Sequence, residues 1–279
     1  MPVNVARSCP EGGVMELGLE GVRVLVTGGA SNIGRGIVHG FAAEGARIVI
    51  CDIDGEQAAK VREEALSHGA KAAEVAVVDL TAEESGSRAV GSIVDLWGGI
   101  DVLVNNAGWT APAFITEDVD RGRWLRTVEI NLLSAVDCTQ AAVHEMRSAG
   151  GGSIVAISSD AAFGEHRQGV YGAAKAGMIA HARTVAKEHG RDGIRSNVVC
   201  PGLVLPDGDE AVGADSLWSA GRDAVFTDKQ VESLRKGIPL RRLTTPGDVA
   251  NAVVWLSSER AARQVTGQVF SVSGGFAMP

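Results

Sequence analysis

From residue 22 the chain alternates short apolar runs with longer segments of helical period, and it does so almost to its end. This alternation predicts βαβα connectivity. The predicted strands cover residues 22–26, 47–51, 71–78, 102–105, 153–157, 195–199 and 268–271, each short and rich in Val and Ile. Several are apolar throughout, as expected of parallel strands covered on both faces. Helical period runs through residues 34–44, 55–68, 83–97, 123–148, 171–189 and 246–257; in the last, Val249, Val253, Val254 and Leu256 line one side. The predicted fold is α/β: a doubly wound, mainly parallel, seven-stranded sheet with helices on both faces.

Composition narrows the class. With 45% apolar and 22% charged residues the chain lies in the globular range, which excludes disorder, collagen and coiled coil. Its 279 residues suggest about two domains by length alone. No linker rich in Pro, Ser or charge divides it, however, and no internal repeat is present, so residues 17–279 read as one domain. Residues 1–16 read as a flexible extension without the apolar run of a signal peptide or membrane anchor. Residues 203–238 break the alternation and read as a lid, because irregular stretches of that length in compact domains are usually functional. A formal net charge of −8 disfavours nucleic acid and anionic membranes as partners. Cys9, Cys51, Cys138 and Cys200 form no close pair, so neither a zinc site nor a disulfide framework is expected, and a reducing cytoplasm fits.

Thirty-six glycines are nearly twice the ~7% average. One group of them follows the first strand, in Thr27-Gly28-Gly29-Ala30-Ser31-Asn32-Ile33-Gly34, and leads into a helix. A dinucleotide pyrophosphate needs backbone N–H groups at a helix N-terminus with no Cβ in the way. Asp52 closes the second strand 18 residues beyond Gly34, near the ~20 expected of a ribose-binding acid. A carboxylate there accepts from both ribose hydroxyls and repels a 2′-phosphate, which predicts NAD over NADP.

Further motifs follow in order: Asn105-Asn106-Ala107-Gly108 after a strand, Asn131 within Ile-Asn-Leu, Ser158-Ser159 ending a strand, Tyr171 and Lys175 as YxxxK, and Pro201-Gly202 after Val-Val-Cys. With the glycine turn, they resemble the short-chain dehydrogenase/reductase family from about residue 17 to 279. The resemblance implies a Rossmann sheet, a homotetramer with contacts through the last strand, and catalysis by Asn131, Ser159, Tyr171 and Lys175. It places Gly28, Ser31, Asn32, Ile33, Gly34, Asp52, Ile53, Asp79, Leu80, Asn105, Ala107, Gly108, Tyr171, Lys175, Pro201, Gly202 and Val204 along the cofactor. A phenol of pKa ≈ 10 is a poor base near neutrality, and a lysine four residues later on the same helix face, with a cationic nicotinamide, would favour the phenolate. The family's usual spacing of thirteen from serine to tyrosine points to Ser158, whereas strand register points to Ser159; register is preferred because a slip turns the side chain to the opposite face. Asn131 resembles an asparagine that holds a water leading from Lys175 to solvent. Asn32 departs from the usual middle glycine, and Pro206 from a threonine that binds the carboxamide.

Substrate signals are sparser. Trp109, Asp160, residues 161–163, His166, Arg167 and residues 205–226 are expected near the site, and Trp109 with Phe163 suggests an apolar or ring-bearing substrate. The sequence is similar to dehydrogenases of the 2-hydroxycyclohexanecarboxyl-CoA type, with β-oxoacyl reductases and alicyclic alcohol dehydrogenases as relatives. Arg167, or Arg241 with Arg242, could meet a CoA phosphate. An alicyclic alcohol or hydroxysteroid substrate, and a non-catalytic NAD-binding regulatory subunit, are the competing readings.

Overall fold

In the computed structural model, described for residues 16–206, 208, 211–213, 216, 218, 219 and 227–279, seven parallel strands form one sheet in the order β3-β2-β1-β4-β5-β6-β7. They are β1 (Arg23–Thr27), β2 (Arg47–Asp52), β3 (Ala72–Val77), β4 (Val102–Asn105), β5 (Gly152–Ile157), β6 (Ile194–Pro201) and β7 (Val269–Val272). Every predicted strand is present to within two residues, and all pairs, not merely most, are parallel. Alternate residues of the same strands feed opposite cores. Val24, Val26, Ile48, Ile50, Val102 and Val104 pack on one face, and Leu25, Val49, Cys51 and Leu103 on the other, so burial on both faces requires the continuous apolar runs.

Helices α1 (Asn32–Ala43), α2 (Gly55–Ser67) and α8 (Pro246–Ser257) contribute to the first core; α3 (Ser85–Trp97) and α5 (Ser134–Ala149) contribute to the second. A third cluster sets α6 (Gly169–His189) against β6 through Met178, Ala182, Val198 and Cys200. Strand order reverses between β1 and β4, which opens a crevice at their carboxyl ends, where ligands bind in such sheets.

Two expectations need correction. The helix expected over 123–148 is interrupted: α4 (Arg121–Val128) passes through a π-helical turn (Glu129–Leu133) before α5. Thr127 Oγ1 donates to the Arg123 carbonyl, Asn131 Nδ2 to that of Thr127 and Ser134 Oγ to that of Ile130, so side chains compete with amides for these carbonyls. The stretch 203–238 is not irregular to its end, since α7 (Asp228–Gly237) occupies its last part, begun by a capping box between Thr227 and Gln230. Much of the expected lid, and all of the expected extension except Glu16, lies outside the described residues.

Candidate active site

The glycine turn is built at the carboxyl end of β1 by contacts with β4. Thr27 Oγ1 accepts from the amides of Asn106 and Ala107, at 3.0 and 3.1 Å, and Asn106 Nδ2 donates to the Thr27 and Gly28 carbonyls, both at 2.9 Å. Thr27 opens the glycine motif and Asn106 stands within Asn105-Asn106-Ala107-Gly108, but nothing in the sequence pairs the two; the available signal was a polar residue at the carboxyl end of each of two neighbouring strands. Gly28 has φ +61°, and a Cβ there would lie 2.8 Å from the Ala107 Cα. At Gly34 a Cβ would lie 1.9 Å from the Gly28 carbonyl oxygen. Asn32 takes φ +42°, a left-handed conformation that asparagine tolerates, and its Nδ2 reaches the Val204 carbonyl at 3.4 Å. Ser31 is the N-cap residue of α1, and its Oγ accepts from Gly213, a described part of the expected lid, at 3.4 Å.

Asp52 closes β2 beside this turn. Its Oδ2 accepts from the Ala30 amide at 2.9 Å and its Oδ1 from that of Asp54 at 3.1 Å. Burial raises the carboxyl pKa and these amides oppose the shift. A carboxylate offers about four lone-pair sites, so two amides leave acceptor capacity for a ribose diol. Ile53 is exposed next to it. Asp79 lies on the surface beyond β3, turned into its own loop by the Thr81 amide and hydroxyl, which lower its pKa, while Leu80 packs at the edge of the second core. Asn105 is buried and donates to Thr139 Oγ1 of α5, so its side chain faces α5. Pro201 ends β6, with Gly202 and the buried Val204 directly after it.

On the other side of the crevice the two adjacent serines separate. Ser158 is buried and donates to the Lys175 backbone carbonyl at 2.8 Å. Ser159 caps the 3-10 turn Asp160–Phe163 by accepting from the Ala161 amide, and its hydroxyl is the one hydrogen-bonded to the Tyr171 phenol. Lys175 is buried, donates to the Ile157 carbonyl at 2.8 Å, and lies 5.7 Å from the Tyr171 ring centroid.

The expectation joined the Lys175 ammonium to a cationic nicotinamide, and in the structure the lysine by itself does not lower the phenol. Burial pushes the phenol up to about 12, which the Ser159 hydrogen bond only partly opposes, and burial pulls the lysine down to about 8. The ammonium donates to the Ile157 carbonyl, and burial is the larger influence on the phenol.

Asn131, in the π turn, is fully buried. It donates to the Trp109 and Thr127 carbonyls and accepts from the Trp109 amide, which fixes the chain just beyond Gly108. The space that a Gly108 Cβ would fill lies 2.8 Å from Asn131 Oδ1 and 3.2 Å from Lys175 Nζ.

Over this site two loops meet. Ala113 pairs with Gln168 in an isolated parallel bridge, Thr110 Oγ1 donates to Gln168 Oε1, and Arg167 stacks on Phe114 with His166 at the ring edge. Phe163 and Phe114 are exposed, so neither serves the core, while the Trp109 ring carries Arg126 over its face. Arg241 donates to the Lys236 carbonyl, and Arg242 lines a separate cavity between β7 and α8.

Residues 28–277 match the family described as Enoyl-(Acyl carrier protein) reductase. An uncharacterised short-chain type dehydrogenase/reductase of Sinorhizobium fredii is 35% identical over 266 residues, covering 92% of this chain and 98% of its own. The chain belongs to the short-chain dehydrogenase/reductase family. It is an oxidoreductase acting on CH–OH groups, as the family is. It is also similar to the (2S)-[(R)-hydroxy(phenyl)methyl]succinyl-CoA dehydrogenase subunit BbsD of Thauera aromatica, at 34% identity over 260 residues, 93% of this chain and 98% of that one. A solved 7α-hydroxysteroid dehydrogenase complexed with NADH and 7-oxo glycochenodeoxycholic acid superposes with a TM-score of 0.83 at 32% identity, covering 93% of this chain and 96% of that one. Among the described residues no helix is long and apolar enough to cross a membrane.

Proposed function

We propose that this short-chain dehydrogenase/reductase interconverts a secondary alcohol and a ketone with NAD, on an alicyclic or 3-hydroxyacyl-CoA substrate. The observation that carries the reading is the Ser159 hydroxyl on the Tyr171 phenol, with the buried Lys175 ammonium beside them and, across the crevice next to Asp52, a turn whose Gly28 and Gly34 leave no room for a Cβ. The residues present fit a dinucleotide: the turn from Gly28 to Gly34, with Ser31, Asn32 and Ile33, would receive the pyrophosphate, Asp52 with Ile53 the adenosine ribose, Asp79 and Leu80 the adenine side, and Asn105, Ala107, Gly108, Pro201, Gly202 and Val204 the rest. When bound, NAD supplies the hydride acceptor and a positive charge. Ser159 holds the substrate oxygen, Tyr171 takes its proton, and Lys175 holds the nicotinamide ribose with the N–H groups not given to Ile157. Asn131, whose Oδ1 approaches Gly108 from one side as Lys175 Nζ does from the other, would hold the water through which the proton leaves.

A CoA ester is supported by the similarity to BbsD and by Arg167 at the loop edge; an alicyclic alcohol or hydroxysteroid is the second reading, favoured by the exposed Phe114 and Phe163. The test is a panel of cyclic alcohols, hydroxysteroids and hydroxyacyl-CoA esters with NAD and with NADP, followed by nicotinamide absorbance. Saturation by the CoA esters with NAD is expected, and turnover of free alcohols alone would move the assignment to the second reading. Tyr171→Phe is expected to lower kcat by about 10²–10⁴ while NADH still binds, and near-normal turnover would refute the proton-transfer role. A cytoplasmic homotetramer is part of the same proposal, β7 being an edge strand whose residues are all half-buried in the single chain. A monomer in light scattering would contradict it.

A further inference from the structure

Asp160 directly follows Ser159 and is only 7% exposed, yet its Oδ2 is buried without a hydrogen-bond partner. Its Oδ1 accepts from Ser271 Oγ of β7 at 3.3 Å. The Ser271 and Ser273 hydroxyls lie 2.7 Å apart, and either can donate to the other. Ser273 Oγ accepts from the Ala277 amide at 3.2 Å and lies 3.3 Å from the Ala277 carbonyl, to which it can donate. A Cβ on Gly202 would lie 3.5 Å from Asp160 Oδ2 and 3.1 Å from Ser273 Cβ, so the carboxyl packs directly under the Pro201-Gly202 turn. The ends of β5, β6 and β7 and the C-terminal segment therefore meet at one acid.

Each serine has a single proton to donate. When Asp160 is charged it can only accept. Ser271 then donates to it, and the single Ser273 proton is drawn towards Ser271 or the carboxylate in competition with the Ala277 carbonyl. When Asp160 is neutral its own O–H donates into Ser271, Ser271 donates to Ser273, and Ser273 donates to the Ala277 carbonyl. The chain of bonds has two directions, and the acid selects between them.

We propose that Asp160 is a positioning residue, the head of a reversible hydroxyl relay through Ser271 and Ser273 that sets how firmly the C-terminal segment is held against the active-site edge of the sheet. The tie to catalysis rests on the function proposed above; the relay does not. Burial raises the carboxyl to about 6, opposed by the Ser271 and Ser273 hydroxyls and assisted by Glu165 from the loop beyond the 3-10 turn. From β6 the acid is faced by the Cys200 thiol, itself pushed up to about 11 by burial and therefore neutral, with the Lys175 ammonium of α6 acting on that thiol; β7 and the segment after it present only hydroxyls. The reversal accordingly falls at mildly acidic pH.

Hydrogen exchange at the Ala277 amide, measured in the intact protein on either side of the carboxyl pKa and corrected for the intrinsic rate, tests this directly. In the wild type, protection should be about fivefold greater on the acidic side, the effect of one added hydrogen bond. Asp160→Asn, whose amide donates at every pH, should show the acid-like protection on both sides, and Ser273→Ala the lower protection on both. Wild-type protection independent of pH, or a pH dependence that survives in Asp160→Asn, would overturn the relay. In kinetics, kcat/KM should step at the same pH in the wild type and not in Asp160→Asn; a step kept by the variant would overturn the positioning role. Because exchange needs no turnover, a protein that reduces no ketone but shows the exchange pattern would refute the proposed function and leave the relay standing.

Discussion

Adding one methyl group to either of two helical glycines should have opposite effects, and the structure supplies both magnitudes. At Gly34 an added Cβ would lie 1.9 Å from the Gly28 carbonyl oxygen and 2.7 Å from Asn106 Nδ2, where real contacts are not closer than 3.0 Å. The carbonyl must withdraw by about an ångström, and Asn106 must release its bonds to Thr27 and Gly28. Overpacking of this kind costs about 1–3 kcal/mol and each lost hydrogen bond about 0.5–1.5 kcal/mol, against a gain in helix propensity of no more than ~1 kcal/mol. Gly34→Ala should therefore destabilise by about 2–4 kcal/mol and weaken NADH at least ~10-fold if, as proposed, the displaced amides receive the phosphates. Gly91 lies within α3 with nothing within 4 Å of its hypothetical Cβ. Gly91→Ala should stabilise by about 0.5–1 kcal/mol, raising Tm by about 1–4 °C, with NADH binding unchanged. Thermal unfolding and NADH fluorescence titration of both variants decide the matter. A Gly34→Ala protein that melts and binds as the wild type does would refute the close-packed reading of the turn.

Ser159→Ala should lower kcat by about 10²–10³, whereas Ser158→Ala should cost about 1 kcal/mol of stability, through the lost bond to the Lys175 carbonyl, and spare kcat; the reverse pattern would assign the chemistry to Ser158. Asp52→Ser should raise the Michaelis constant for NAD about tenfold and that for NADP far less, and equal changes would mean that only the bonds to Ala30 and Asp54 had mattered. Asp160 titrates at about 6 in the fold and near ~3.9 when unfolded, so the folded state binds more protons between these values, and stability falls as pH rises through that window by up to about 2–3 kcal/mol. In denaturant titrations Asp160→Asn should lack this component; an identical pH dependence in variant and wild type would exclude the raised carboxyl.

Alternation of apolar runs with helical period was sufficient to locate all seven strands and the glycine turn, because burial on two faces of a parallel sheet leaves a local trace in the sequence. The four-residue step from Tyr171 to Lys175 was readable for the same reason, both residues lying in one regular helix. The π turn around Asn131 was not, because it depends on side chains competing for carbonyls within a segment whose polarity pattern is still helical. Helix α7 was obscured by the irregular residues preceding it, although the Thr227–Gln230 capping box was written in the chain.

The sequence by itself therefore determined the layered fold, the glycine turn and the set of polar residues at the carboxyl edge of the sheet. Tertiary structure alone decided which of Ser158 and Ser159 meets the phenol, that burial raises the Tyr171 pKa and lowers that of Lys175, and that Asp160 faces two serines more than a hundred residues away. Period and propensity are local properties of the chain. The partner of a polar side chain, and the water it loses on burial, are set by segments that only folding brings together.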